Sequence, residues 1–421
     1  MIAQDNAQSS AAVNRSKQRS LVIRPKKLVF YTIFILAFLL SGILVMLDIF
    51  PYRMNPVSLL VLPLIFLYGI RFDKVVLVFG LLVLVILLSA IINQVSVTQL
   101  VLFLRSVAFA FLIYSLVRMF VKRDNIVTII KLCVLVGMVQ LPIMLMQFMT
   151  YDALPSRIRD GMRLYRIDYS FGTFHYKGDA AMTFFLTLLV IFLLFDYKRN
   201  YFIRYKWFVA IWLTLTVLVS NAEIMKLAII FVWVVFAIRF LSIKTLFYLG
   251  IGLVLLAGIL FSFGVFNEII DEFSYSLTTN LSASESKTEA FMTGGYGRGA
   301  AIAYYLNSEL KIIGDGPSRY YDVVTQKYLR GNNGHIFTFY SEVGLVGLLL
   351  SYLIFFLIAF PIRGRHIRVR WVGILIFSVL LLLSFTTEVL PNISIVLIYC
   401  IVAMTYLIPE KETLNSEVVN R

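Results

Sequence analysis

Apolar stretches about as long as a membrane span recur along most of the chain, and short polar connections separate them. A helix needs about 20 predominantly apolar residues to cross the hydrocarbon core of a bilayer. Hydrophobic residues make up 60% of the 421 residues, against roughly 45–50% in soluble domains. We therefore predict an all-α polytopic membrane protein, a bundle of about twelve transmembrane helices. The predicted spans are 28–49, 56–71, 75–93, 99–120, 126–149, 179–197, 205–221, 223–242, 245–266, 335–360, 371–389 and 391–408.

These spans divide the chain into five parts. Residues 1–27 form a polar tail that we expect to be disordered and cytoplasmic. Spans one to nine occupy 28–266, and a large outer loop with short helix candidates follows at 267–334. The last three spans occupy 335–408, and residues 409–421 form a second cytoplasmic tail.

Lysine and arginine residues concentrate in every second connection, so the positive-inside rule places both termini in the cytoplasm. The formal net charge of +15 belongs to these short connections rather than to a basic domain, and we expect no nucleic-acid partner. Two connections on the predicted outer side, 150–178 and 267–334, are basic as well. Two readings stay open for them: solvated loop charges, or two loops that close over an anionic ligand.

Several charged residues lie within or beside the predicted spans. An ionised group at the centre of a bilayer costs about 2.5–3.5 kcal/mol unless it is paired, sits near an interface or lines a water-filled cavity. Arg105 falls inside the fourth span, and Glu388 stands at the outer end of the eleventh. Glu223 and Lys226 share one helix face and can neutralise one another. For each of these residues, a paired structural charge is the alternative to a functional role.

The segment from Gly294 to Leu350 concentrates the polar chemistry of the chain. Its first part is rich in glycine and cations, and it leads into a span that begins near His335 and carries Glu342 in its first turns. Cations beside a histidine and a membrane-embedded carboxylate predict a site for an anionic, lipid-linked substrate at the outer face. The cations are Arg298, Lys311, Arg319, Lys327 and Arg330.

Three patches of the chain resemble one family. The first pairs RIDYSFGTFHYKGDAAM (166–182) with SNAEIMKLAII (220–230). The second is GRGAAIAYYLNSELKIIGDGPSRYY (297–321), and the third is NNGHIFTFYSEVGLVGLLL (332–350). In their order and their position around one outer loop, these patches are similar to the O-antigen ligase and O-antigen polymerase superfamily of bacterial envelope glycosyltransferases.

The resemblance implies a membrane glycosyltransferase of the bacterial inner membrane that needs no metal or other cofactor. Such enzymes join a saccharide carried on undecaprenyl pyrophosphate to a sugar hydroxyl at the periplasmic face. We favour a polymerase of repeat units of O-antigen or exopolysaccharide, with a chain-length regulator and a flippase as candidate partners.

Two alternatives stay open. Within the family, a ligase moves lipid-linked glycan to lipid A core or to a protein. In another class, a secondary transporter carries an anionic solute. Neither inverted repeats nor broken helices, which are typical of such transporters, are evident in the sequence.

A departing pyrophosphate needs fixed cations, and the acceptor hydroxyl needs a base. Arginine matches phosphate oxygens with its planar fork, so we assign the pyrophosphate to Arg298. Imidazole titrates near neutral pH, which makes His335 the candidate base; in the alternative reading it only caps the helix start. Glu342 is the third candidate catalytic residue. The candidate substrate-binding residues are Lys226, Arg319, Arg159, Arg163, Asn333, His175 and Arg105.

Overall fold

Every regular element in the described part of the chain is helical, and that part contains no strand. Two predicted spans, 56–71 and 245–266, lie outside it. Each of the other ten predicted spans coincides with a helix. The computed structural model describes residues 25–46, 72–153, 171–175, 178–195, 205–240, 309–320, 334–360 and 367–407.

Five helical stretches are long and apolar enough to cross a membrane: Lys27–Leu44, Lys74–Ile92, Val97–Phe120, Asn125–Thr150 and His335–Ala359. This length and composition suit a membrane-embedded protein. A π-helical turn, Leu36–Leu40, joins the first two helices, and a 3-10 turn, Tyr151–Ala153, follows the fifth. In chain order, helices α1 to α11 are Pro25–Ile35, Ser41–Met46, Lys74–Ile92, Val97–Phe120, Arg123–Thr150, Asp179–Phe195, Lys206–Val219, Glu223–Phe240, His335–Ala359, Ile367–Ser384 and Ile393–Leu407.

Helices α6 and α11 form the centre of the bundle. Side chains are buried all round α6 from Ala181 to Leu194, and all round α11 from Ile393 to Met404. A helix that is apolar on every side is a core helix. Helix α6 packs against α5, α7, α8, α10 and α11, whereas α11 also packs against α4, α9 and α10. Helices further out, such as α3 and α8, leave large apolar side chains exposed, which suits contact with lipid.

The α3–α4 hairpin has a charged end and a turn end. At the charged end, Asp73 caps α3 by accepting from Val76 N at 2.8 Å. The same carboxylate accepts from the Tyr114 hydroxyl at 2.5 Å and pairs with Arg118 of α4. At the turn end, Gln94 adopts a φ of 51°. These contacts fix the register of α3 against α4.

A short turn, residues 171–175, is held inside the bundle. The side-chain amide of Gln147 bonds both the N–H and the C=O of Gly172, at 2.9 and 2.8 Å. Gln140 holds the next residue in the same way, because its Oε1 accepts from Thr173 N at 2.9 Å. Gly172 has a φ of 63°, a conformation that glycine adopts without steric cost. The predicted outer connection at 150–178 therefore carries a buried, specifically anchored turn.

Helix α9 is folded back on itself. His335 and Ser351 are 16 residues apart, which is about 24 Å along a straight helix, yet their side chains are 3.1 Å apart. The reversal occurs at Gly344, where φ is 82° and ψ is −176°. The tenth predicted span is therefore one apolar run in the sequence but two arms in the structure. A short arm (335–343) runs beside a long arm (345–359), so the length of the stretch overstates the distance that it covers.

Candidate functional site

A loop segment, residues 309–320, covers the bend in α9 with four backbone hydrogen bonds. Non-helical backbone is tolerated at membrane depth only where protein or a water-filled cavity satisfies its polar groups. The segment supplies the partners that the bend removes from the helix. The bonds run from Asp315 N to Ser341 O at 2.7 Å, from Gly316 N to Glu342 O at 3.1 Å, from Leu345 N to Lys311 O at 2.9 Å and from Val346 N to Ile312 O at 3.4 Å.

Two glycines permit this close approach. A Cβ atom on Gly314 would lie 2.4 Å from the carbonyl carbon of Glu342, and one on Gly344 would lie 2.3 Å from the carbonyl oxygen of Ile312. Both neighbours are backbone atoms, which cannot swing aside as a flexible side chain does. Gly314 and Gly344, which are well separated in the sequence, therefore meet at one crossing.

Glu342 ties the crossing to its surroundings. Its Oε1 accepts from Tyr320 N at 3.2 Å, and its backbone carbonyl accepts from the Ser89 hydroxyl of α3 at 3.1 Å. Asn93, also on α3, donates to Gly314 O at 2.8 Å. The Glu342 side chain is buried. These contacts orient the short arm of α9, and the Glu342 side chain also lines a cavity.

A cavity of about 210 Å³ lies between the short arm of α9, helix α4 and the connection from α10 to α11. The short arm lines it with residues 335, 338, 339 and 342, a spacing that places all four on one helix face. The loop segment 309–320 contributes one lining residue, Ser318. The polar lining residues are Ser106, Ser318, His335, Thr338, Glu342 and Glu388.

The hydrogen bonds of His335 define which ring nitrogen is available. Ser351 donates its hydroxyl hydrogen to Leu348 O at 2.7 Å, so at 3.1 Å from His335 Nε2 it acts as an acceptor. Nε2 then carries the ring hydrogen and Nδ1 carries the lone pair. Nδ1 is buried and has no hydrogen-bond partner among the described residues. The reading in which His335 only caps the helix start is wrong, because Gly334 is the N-cap and no side chain caps there.

Glu388 also lines the cavity. From the sequence alone, a paired structural charge was the alternative to a functional role for this residue. It lies between α10 and α11, and Thr338 Oγ1 is 3.2 Å from its Oε1. Burial raises the pKa of the Glu388 carboxyl above its ordinary value. None of the described lysine or arginine side chains lines the cavity. The position of Glu388 shortly before Pro391 indicates a helix end. Nothing in the sequence shows that the connection from α10 to α11 packs against the short arm of α9.

The predicted cationic residues that fall within the described ranges lie outside the cavity. Lys226 donates to Glu223 at 2.7 Å, which is the neutralising pair that their spacing predicts. Arg105 is exposed on α4. Arg319 is half-buried and donates to a backbone carbonyl of the α3–α4 turn at 3.4 Å, and its neighbour Ser318 lines the cavity.

The remaining predicted site residues lie elsewhere or outside the described ranges. His175 ends the buried turn at 171–175 and is not a lining residue. Arg298, Arg159, Arg163 and Asn333 lie outside the residues that the structure describes. Within those residues, no group of three or more His, Cys, Asp or Glu side chains is arranged to hold a metal ion.

Two of the three candidate catalytic residues, His335 and Glu342, thus come together in one cavity with Glu388. The arrangement offers a buried basic nitrogen and two carboxyl groups beside a folded-back helix. No protein-family model, no curated protein and no solved structure matches this chain.

Proposed function

We propose that this chain is a membrane glycosyltransferase that polymerises saccharide repeat units carried on undecaprenyl pyrophosphate. The observation that carries the proposal is the buried His335, which lines a cavity together with Glu342 and whose Nδ1 has no hydrogen-bond partner in the described part of the chain. Activation of an acceptor hydroxyl requires a basic nitrogen that is not already engaged in a hydrogen bond. The family resemblance of the sequence supports the same chemistry.

In the proposed reaction, the acceptor hydroxyl gives its proton to Nδ1 of His335 as its oxygen attacks the anomeric carbon of the donor. The bond between that carbon and the pyrophosphate oxygen breaks, and the electron pair leaves with the pyrophosphate. The proton then passes from His335 to solvent or to the leaving group, which restores the base. A positioned general base of this kind contributes roughly 10²–10⁴-fold to a rate. The carboxyl groups of Glu342 and Glu388 stabilise the transient imidazolium.

The leaving pyrophosphate needs cations, and we assign them to the rim of the cavity. Arg319 is our choice among the described residues, because it follows Ser318 of the lining and makes one long hydrogen bond at 3.4 Å. Arg298, Arg159 and Arg163 stay predictions for the same role. Lys226 is a weaker candidate, since Glu223 already balances its charge at 2.7 Å.

The positive-inside rule supports the orientation that the proposal requires. It makes the charged end of α3–α4 cytoplasmic and the turn end periplasmic. The bend at Gly344 lies with the turn end, because Asn93 bonds Gly314 of the segment that covers the bend. We therefore propose an inner-membrane protein with cytoplasmic termini and a site that opens toward the periplasm.

A complemented deletion strain tests the proposal. His335→Ala is expected to abolish the polymer while single repeat units still reach their acceptor, and membrane levels of the protein stay normal. His366→Ala is the matched control, since its predicted location is a cytoplasmic connection. Unchanged polymer length and yield in His335→Ala would refute the assignment. Accumulation of long lipid-linked polymer in the deletion strain would indicate the alternative activity, a ligase that acts on lipid A core or protein.

One observation favours a second candidate, a secondary transporter. The helix break at Gly344 beside buried carboxyl groups is a feature of transporters. The carboxyl groups favour proton coupling over binding of an anionic solute. An assay of the purified protein in detergent distinguishes the two functions, because transport needs two separate compartments and a detergent micelle does not provide them. Polymer formation from lipid-linked repeat units in detergent is expected of the enzyme and not of the transporter.

A further inference from the structure

The cavity under the bend presents hydrogen-bond acceptors. Glu342 and Glu388 are acceptors when ionised, and Nδ1 of His335 carries a lone pair. Two of the lining hydroxyls already use their hydrogens. Ser318 donates to a backbone carbonyl of α4 at 3.1 Å, and Thr338 donates to the carbonyl that precedes the short arm at 3.0 Å. A ligand that satisfies this lining must therefore bring hydrogen-bond donors.

His335 supplies the second observation. Its side chain is only 1% exposed, and Nδ1 has no partner among the described residues. Buried polar atoms in folded proteins are almost always paired with protein or ordered water. Because the His335 ring lines the cavity, a ligand bound there is a source of a donor for this nitrogen.

The lining offers a diphosphate no positive charge to balance it. Two carboxyl groups face the cavity, and no lysine or arginine of the described ranges lines it. A diphosphate held there without a cation would be a buried, unpaired charge, which is costly. A neutral polyol or an amine is compatible with this lining, whereas a diphosphate anion is not.

We infer that this cavity is the acceptor subsite, which binds a neutral or amino-substituted sugar ring through its hydroxyl or ammonium hydrogens, while the diphosphate of the donor binds outside it. Glu388 is then a substrate-binding residue. The inference rests on the proposed glycosyl transfer and deepens it. A volume of about 210 Å³ is roughly seven times the ~30 Å³ of a water molecule, which suits one ring rather than an oligosaccharide.

Cysteine labelling tests the sign of charge inside the cavity. Ser106→Cys places a thiol in the lining, and the native Cys133 and Cys400 are fully buried. The protein in nanodiscs is treated with trimethylammonium-ethyl and sulfonato-ethyl methanethiosulfonate, which differ in charge but little in size. Thr98→Cys is the matched control, because it is exposed on the same helix.

The cationic reagent is expected to label Ser106→Cys at least about tenfold faster than the anionic one, relative to the ratio at the control site. Adding Glu388→Gln should lower that preference. Leu102→Cys, which also lines the cavity, repeats the measurement if Ser106→Cys does not fold. A preference for the anionic reagent, equal rates, or no labelling by either reagent would overturn the inference.

Protection of the thiol tests the ligand class. Methyl glucoside and glucosamine are expected to slow labelling of Ser106→Cys but not of Thr98→Cys, whereas inorganic pyrophosphate should leave both rates unchanged. Protection by pyrophosphate alone, or by none of the three probes, contradicts the inference. Because labelling needs no turnover, its outcome is separate from that of the polymer assay. A normal polymer in His335→Ala would refute the proposed function while leaving the charge of the cavity as measured.

Discussion

The Nε2 atom of His335 lies 3.1 Å from the hydroxyl oxygen of Ser351, across the two arms of one folded helix. Ser351 gives its hydrogen to Leu348 O at 2.7 Å and accepts from the imidazole. The ring also packs against Phe339 and Tyr352, with centroids 4.6 and 5.8 Å away. The fold-back of α9 therefore fixes both the orientation and the tautomer of the candidate base.

Ser351→Ala is expected to lower the polymerisation rate about tenfold, since one hydrogen bond of about 1–1.5 kcal/mol that fixes the imidazole is lost. The tautomer is measured directly from the ring nitrogen shifts of His335 by NMR, and the population with hydrogen on Nδ1 should rise. Ser384→Ala is the control, because it removes the hydrogen bond to Tyr352 at 2.7 Å and keeps the one between His335 and Ser351. Equal tautomer populations in wild type and Ser351→Ala would contradict this role.

Gly344→Ala is expected to destabilise the protein and to abolish activity. The φ and ψ of 82° and −176° lie in a region that is essentially restricted to glycine and costs other residues about 1–3 kcal/mol. The added Cβ would also meet Ile312 O at 2.3 Å. Thermal unfolding in detergent measures the loss.

Gly80→Ala is the matched control for that substitution. A Cβ at Gly80, in the middle of α3, meets no atom within 4 Å. Alanine is favoured over glycine inside a helix by roughly 0.5–1 kcal/mol, so this variant should be as stable as wild type or more so. If the two variants unfold at the same temperature, the bend at Gly344 does not have the strict backbone requirement that the structure indicates.

Stability should fall with rising pH because of Glu388. Its pKa is raised in the folded protein by burial, so the folded state holds the proton more tightly than the unfolded state. The stabilisation is complete below the ordinary carboxyl pKa of 4.5 and is lost as the pH rises through the raised value. Glu388→Gln should flatten this part of the curve of unfolding temperature against pH. Glu223→Gln, at an exposed carboxyl, should leave the curve as in wild type.

The positions of most helices follow from the sequence, whereas the shape of the site does not. Ten apolar runs of span length cover the eleven described helices, because hydrophobicity sets where helices form in lipid. The same apolar run continues through Gly344, so composition cannot reveal the reversal there. Its cause is tertiary, because the bend is stable only with partners such as Lys311 O, which accepts from Leu345 N at 2.9 Å.

The site residues divide in the same way. His335 and Glu342 are predictable because polar groups at the start of a span are costly without a role, and both line the cavity. Glu388 belongs to the same cavity through a connection whose path no local pattern encodes. Placing the Lys226 charge in a span is costly as well, but its pairing with Glu223 three residues earlier already accounts for its presence.

Gln147 anchors the buried turn at 171–175. Gln147→Leu leaves the N–H and C=O of Gly172 without the partners that they have at 2.9 and 2.8 Å. Each unsatisfied buried group costs about 1–3 kcal/mol, so the variant should unfold at a lower temperature and become more sensitive to protease near residue 172. Met146→Leu is the control, because Met146 is exposed on the same helix and the change conserves volume. If both variants behave as wild type, the two hydrogen bonds of Gln147 do not hold this turn in the bundle.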